Sequence, residues 1–241
     1  MSLLLALACY LPPLVGLGTD GVLPPPGRLE LGASAGLGAS WIAETVIVHG
    51  GPLGDLDLRF EPGPPAWTGP IAGVGARVTL GVHERLAIQL DTQALFLLEP
   101  FYVYVGPGHF VDLVGLQALF QGDDPRFTWV VGANAAARVA SGDGLYYGGL
   151  GGGLVYGVTR PSGFRPFAGL TTHLELDADG LFVLVPTLGL GVSRRGERCF
   201  GRLEANLQSG FGPGTPLGSS RLLGLGPSGG LGLGCELGLS G

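Results

Sequence analysis

At 241 residues the chain has the length of one large domain or two small ones, but it carries 47 glycines, only 13% charged residues and no lysine. Soluble domains carry roughly 25% charge and about 7% glycine, so an ordinary water-facing surface cannot be assembled from this composition. A net charge of −6 disfavours nucleic acid as a partner, the glycines lack the every-third-residue period of collagen, and 46% hydrophobic residues disfavour a disordered chain.

In chain order, Met1 to Gly18 is uncharged and leucine-rich and reads as the end of an export signal. No basic stretch precedes it, so the start of the signal is expected upstream, or the signal is atypical. Leu5-Ala6-Leu7-Ala8-Cys9 is similar to a bacterial lipoprotein cleavage site, in which a small residue precedes a cysteine that is lipidated. Cys9 is therefore the candidate for lipidation; the alternative is a cysteine in an apolar tail. From Leu11 to Pro26, proline and glycine read as a linker rather than a folded element. Residues 1–26 are expected to be the export or lipoprotein-like segment with its linker, and residues 27–241 the folded domain.

Period-two patterning starts after that linker and continues to the C-terminus. From Arg28 to Ser40, Leu29, Leu31, Ala33, Ala35 and Leu37 alternate with Glu30, Gly32, Ser34, Gly36 and Gly38. Ile71 to Val82 and Leu86 to Phe96 repeat the pattern, followed by Phe110 to Gln121, Phe127 to Ala140, Leu145 to Val158 and Phe164 to Asp177. Leu181 to Arg194, Arg198 to Gly210 and Leu222 to Leu239 complete about ten expected strands. Each meets the roughly 9 to 11 residues that a tilted strand needs to cross a bilayer. Glycine every second or third residue argues against membrane helices. A turn centred on Glu84 sets Arg77 opposite Asp91 and Thr79 opposite Gln89, and a loop centred on Leu217 sets Cys199 opposite Cys235.

Alternation alone fits a soluble barrel, apolar inside, as well as a membrane barrel, apolar outside. Composition decides. A soluble version would expose a face of glycines such as Gly32, Gly36, Gly73, Gly75, Gly132 and Gly169, too bare for a surface. Turned inward, the same face is a small lumen in which glycines make room for Arg77, Asp91, Arg138, Arg165, His173, Glu175, Arg202, Glu204 and Glu236. Phe120, Phe127 and Trp129 fall near one set of strand ends and Phe96, Tyr146 and Phe182 near the other, as two interfacial girdles require. One set of connections is short, for example His83 to Arg85 and Arg195 to Glu197; the other includes Trp41 to Pro70 and Leu98 to His109. Short turns belong on the periplasmic side of such barrels, which puts both termini there.

With this pattern over Gly27 to Gly241, the chain resembles bacterial outer-membrane β-barrel proteins, including small lipoprotein-type ones. The resemblance implies an outer-membrane location, contact with outer-membrane lipid and a structural, interaction or porin-like role. The departure from the family is at the chain end: such barrels usually close on an aromatic residue read by the assembly machinery, and this sequence reads Leu239-Ser240-Gly241.

Several kinds of chemistry compete for these residues. The lumen charges can select solutes by charge, as charged rings do in pores, or fill a small barrel as a plug of ion pairs. Size favours the plug. A lipid hydrolase would need a serine and a histidine, and His173 with Glu175 is the nearest approach, without a placed serine. Gly149-Leu150-Gly151-Gly152-Gly153 lacks the following helix and lysine of a phosphate loop, and His49, His83, His109 and His173 are scattered beyond metal-ligand spacing. Cys199 and Cys235 are either a cross-strand disulfide or two thiols facing lipid. Arg85, Arg126, Arg160, Arg194, Arg195 and Arg198 gather at the short-turn ends, where they meet phospholipid headgroups or stand as solvated turn residues.

The expectation is thus an all-β, transmembrane, up-and-down antiparallel barrel of about ten strands. Eight or twelve are alternatives, because Trp41 to Phe60 can hide a further hairpin. No cofactor, metal or catalytic residue is expected. The role is structural or interactive with a plugged lumen. A narrow pore for small polar solutes is the alternative, and a lipid hydrolase or soluble secreted β protein lies further off.

Overall fold

A computed structural model of the chain describes residues 2–4, 17–39, 41–42, 45–49, 59–63, 66–67, 70–97, 108–138, 145–177, 182–212 and 222–238. Ten long strands build it: β1 Arg28–Gly38, β2 Ile71–His83, β3 Leu86–Leu97, β4 Gly108–Gln121, β5 Phe127–Arg138, β6 Leu145–Gly157, β7 Phe164–Asp177, β8 Phe182–Arg195, β9 Cys199–Phe211 and β10 Leu222–Gly238. Their cores are the alternating segments of the sequence, in which most leucine, valine and aromatic positions fall on the outer face while a smaller set that includes Leu119, Val130, Val155 and Phe167 points inward. Every neighbouring pair is antiparallel, and β10 pairs with both β9 and β1, so the sheet closes on itself and leaves no edge in the ring. The architecture is a closed, up-and-down, ten-stranded barrel.

The first long connection contributes the remaining pieces. Trp41–Ile42 pairs with Gly224–Leu225 of β10 and with Ala66–Trp67, extending the sheet beyond the ring at the long-connection end. Thr45–His49 and Arg59–Gly63 form the extra hairpin that Trp41 to Phe60 allowed, with Ser2–Leu4 against Thr45–His49. That hairpin lies in a separate three-stranded sheet, so the ring has ten strands rather than twelve.

Register follows the turns. The pairing set by Glu84 runs unbroken from Ile71 opposite Leu97 to Gly81 opposite Ala87, with Arg77 opposite Asp91, and shifts only at the last residue before the turn. Cys199 stands opposite Cys235 at the start of the β9–β10 ladder, 4.0 Å apart at Cα and joined as a disulfide. Arg28 pairs with Gly238, so the first and last barrel strands begin and end at the short-turn end.

The barrel is inside-out relative to a soluble protein. Leu31, Leu150, Leu190, Leu231 and Leu233 stand outward and exposed, Leu150 at 71%. Thr79, Gln89, Thr128, Glu204 and Ser193 point inward, each 2% exposed or less. Phe120, Phe127, Trp129, Tyr156 and Phe164 lie exposed on the outer face near the short turns, with Phe127 and Tyr156 in ring contact at 5.0 Å. Aromatic side chains concentrate in this way at a membrane interface. Tyr146 and Phe182 have side chains outside the described residues.

The glycines of the inner face are matched to large side chains across the strand. Gly32 stands opposite Arg77, Gly115 opposite Asp91, Gly151 opposite His173, Gly191 opposite Phe167 and Gly234 opposite Phe200. At Gly115, Gly151, Gly191 and Gly234 an added Cβ would overlap the facing side chain. Glycine abundance on this face is therefore a packing device: large lumenal groups lie flat over their bare neighbours, and the bore narrows.

Candidate functional site in the barrel lumen

Residues 17–26, within the stretch read from the sequence as a linker, have no regular secondary structure, yet they begin inside the barrel, with Leu17, Thr19 and Asp20 each 3% exposed or less. Residues 17–23 of the stretch are thus packed against the wall, while residues 5–16, which hold the start of the linker and most of the export-like segment before it, lie outside the described residues. The chain turns into the bore at the short-turn end, where Gly27 N donates to Gly81 O at 2.8 Å and Arg28 N to Pro25 O at 3.0 Å. Gly81 has no side chain for a reason: a Cβ there would strike the carbonyls of Pro24 and Pro25.

Inside, the sequence Gly18-Thr19-Asp20-Gly21 makes a tight local turn. Gly18 and Gly21 have φ of 66° and 77°, values that residues with a side chain rarely adopt. Thr19 Oγ1 accepts from Gly21 N at 3.0 Å and Asp20 Oδ1 from Val22 N at 3.2 Å, the side-chain turns that threonine and aspartate favour. Leu17 joins the buried cluster of Ala87, Leu119, Val130, Val155 and Phe167, with Leu23 packed against it. Gly169 and Gly189 leave the space that the Leu17 side chain fills.

Polar groups of the wall bind this segment from several strands. The Asp20 carboxylate accepts from Ser193 Oγ at 2.7 Å, from Arg195 Nη2 at 3.0 Å and from Arg195 Nε at 3.3 Å. Arg195 Nη1 also donates to Glu30 at 2.8 Å, and Glu30 receives Arg77 Nη2 at 3.2 Å. Arg77 returns to the segment through Gly18 O. Phe200 carries both guanidinium groups on its ring, Arg195 at 4.6 Å and Arg77 at 5.4 Å from the centroid. Further round, Arg165 Nε donates to Asp20 O at 2.9 Å, Thr128 Oγ1 and Gln121 Nε2 to Gly21 O at 2.7 and 2.8 Å, and Leu17 N to Glu204 at 2.7 Å.

Of the residues nominated from sequence, Arg165, Glu175, Arg202 and Glu204 are buried on the inner face. Arg77 faces Asp91 in register, but its ion pair is with Glu30; Asp91 Oδ1 has no hydrogen-bond partner and lines a cavity of about 20 Å³ together with Gly18, Arg77 and Arg202. Glu175 accepts from Asn134 at 3.1 Å, and His173 lies over Gly151. Glu236 stands at the mouth, 3.7 Å from Arg28. Cys9 and the Arg138 side chain lie outside the described residues.

Arg195 departs most from its assignment. Its place in the short-turn arginine cluster is corrected: alternation carries Ser193 inward, Arg194 outward and Arg195 inward again, into the bore. Arg85 and Arg126 do stay at the turns, exposed and paired with Asp123 and Asp124 at 2.7 Å. Asp124 is held below the ordinary carboxylate range by the Arg126 hydrogen bonds. Asp20, Glu30, Ser193 and Arg195 are thus the central residues that the sequence did not nominate for the lumen. No group of three His, Cys, Asp or Glu side chains that can hold a metal occurs among the described residues.

No protein-family model matches the chain, and no curated relative does. Among solved structures it is similar to the N-terminal β-barrel domain of Pseudomonas aeruginosa OprF, at 13% identity over 89% of this chain and 100% of that one, with a TM-score of 0.33. The translocator domain of the autotransporter NalP from Neisseria meningitidis gives 15% identity, 88% and 90% coverage and a TM-score of 0.39. Ail of Yersinia pestis gives 11%, 88% and 99%, and 0.27. The likeness is one of β-barrel architecture, and what establishes that architecture here is the chain's own closed antiparallel ladder, apolar without and polar within.

Proposed function

We propose that the protein is an outer-membrane barrel with a structural or interaction role, whose lumen is closed by its own residues 17–23. The observation that carries this reading is the burial of Leu17 and Asp20 inside the ring, one in an apolar cluster and the other in an ionic one. The exposed leucines of the outer face and the aromatic side chains near the short turns support contact with outer-membrane lipid. Long connections are assigned to the outside, and the start of β1 and the end of β10 to the periplasm, because short turns face the periplasm in barrels of this kind. The reading is non-enzymatic: Glu175 is engaged by Asn134 and His173 is packed over Gly151.

Planar-bilayer recording of the refolded protein tests the closure. The expected trace in chloride is silent. A steady conductance that responds to charge reversal at Arg77 or Glu204 would return the narrow-pore reading. Monodisperse solubility without detergent would remove the membrane placement.

A further inference from the structure

The groups that hold the Asp20 carboxylate belong almost wholly to the wall. Its own segment supplies one donor, Val22 N at 3.2 Å. Strand β8 supplies the Ser193 hydroxyl and both edge nitrogens of Arg195. A guanidinium fork with a hydroxyl beside it is a receptor for planar carboxylates. Apart from Asp20, what aims the fork is also wall: Glu30 holds its Nη1 at 2.8 Å and Phe200 supports its face at 4.6 Å. The receptor is therefore built and aimed by the wall rather than by the segment that occupies it. Donors remain in surplus nearby, since Arg165 Nη2 and Arg202 Nη1 are buried with no hydrogen-bond partner and Arg202 Nε reaches Glu204 only at 3.5 Å.

We propose that Ser193 and Arg195 form a carboxylate-binding site that Asp20 occupies in cis, and that the same site takes a small free carboxylate, a short organic acid anion, when residues 17–23 withdraw. The proposal rests on the reading of those residues as the segment that closes the lumen. A free carboxylate competes with Asp20 by mass action, so its binding also favours the withdrawn state of the segment.

Asp20→Ala in the full chain removes the carboxylate and leaves a space that formate fits. The readout is the urea unfolding midpoint of the refolded protein in detergent, followed as formate replaces chloride at constant ionic strength. Asp20→Ala is expected to unfold earlier than the parent, and formate to restore most of the shift saturably. Formamide, the same shape without the charge, restores none, and adding Arg195→Met abolishes the restoration. Equal responses to formate, formamide and chloride would overturn the site. If Asp20→Ala fails to refold, the parent protein decides: replacing chloride by formate is expected to bring transient openings into the otherwise silent trace, and a trace that stays silent in formate overturns the proposal. Failure of the closed-lumen reading shows differently, as steady conductance of the parent protein in chloride alone.

Discussion

The buried N-terminal segment meets two unlike walls. Along β3 to β7 it faces an apolar arc of Ala87, Leu119, Val130, Val155 and Phe167, into which Leu17 and Leu23 pack. From β8 round to β2 it faces an ionic arc in which Asp20, Arg195, Glu30 and Arg77 form a chain that ends back on the segment at Gly18 O. Apolar burial is roughly proportional to area and has no preferred direction, so the apolar contacts attract the segment without fixing where it stops, and direction on this side comes from bonds to backbone carbonyls such as those of Asp20 and Gly21. The fork of Arg195 accepts one placement of a carboxylate. The apolar arc thus supplies mainly adhesion and the ionic arc mainly position.

Arg195→Met is the most severe way to break this division. It strips a partner from both Asp20 and Glu30 while both stay buried, and removing one side of a buried ion pair costs about 3–5 kcal/mol. The urea unfolding midpoint should fall accordingly, and Arg195→Lys should recover only part, because a single ammonium cannot serve two carboxylates and a ring face at once. Leu17→Ala attacks the other arc. It leaves a void over Gly169 and Gly189 and should cost about 2–4 kcal/mol in the same assay. The two variants should differ in kind as well as in size. With Leu17→Ala, Asp20 stays anchored and bilayer recordings remain quiet; with Arg195→Met, the segment loses its stop and the recordings become noisy.

The wall was legible in the sequence and the segment inside it was not, for a physical reason. A strand writes its burial as period two, and a centred turn converts that period into register, which is how Arg77 comes opposite Asp91 and Cys199 opposite Cys235. One further step of the same alternation turns Arg195 inward; its adjacency to Arg194 and to a short turn masks that step. Residues 17–23 have no period at all. Their structure comes from glycines at positive φ and from side-chain turns, and the same Gly-Thr-Asp-Gly string serves equally well in an exposed loop. The matched pairing of lumenal glycine with large side chains needs the registers of all ten strands at once. Glycine count therefore announced a narrow inner face without saying what fills it.

Gly189→Ala sharpens the comparison at the place where the arcs meet. The added methyl would overlap Leu17 Cγ and lie 2.6 Å from Asn206 Oδ1, and overpacking of this kind costs about 1–3 kcal/mol. Combining it with Leu17→Ala should cost less than the two separate losses, since each change relieves the volume error of the other. Strict additivity in the unfolding midpoints would mean that Leu17 does not rest on Gly189.

The smallest expected effect comes from Thr128→Val, and it tests whether the apolar arc has any directional hold of its own. Thr128 is fully buried and donates to Gly21 O at 2.7 Å, but Gln121 Nε2 donates to the same carbonyl at 2.8 Å. Losing one of two donors leaves the carbonyl satisfied, so the single change should cost about 1 kcal/mol, the ordinary net value of a hydrogen bond. Gln121→Leu alone should behave in the same way. Together they leave Gly21 O buried and bare, and the full desolvation cost of that acceptor, about 1–3 kcal/mol, then appears only in the double variant. A coupling of that sign in the double-mutant cycle assigns Gly21 O to a redundant latch on the apolar side. Simple additivity would show that the carbonyl reaches water, and that Thr128 and Gln121 do not set the segment's position along the bore.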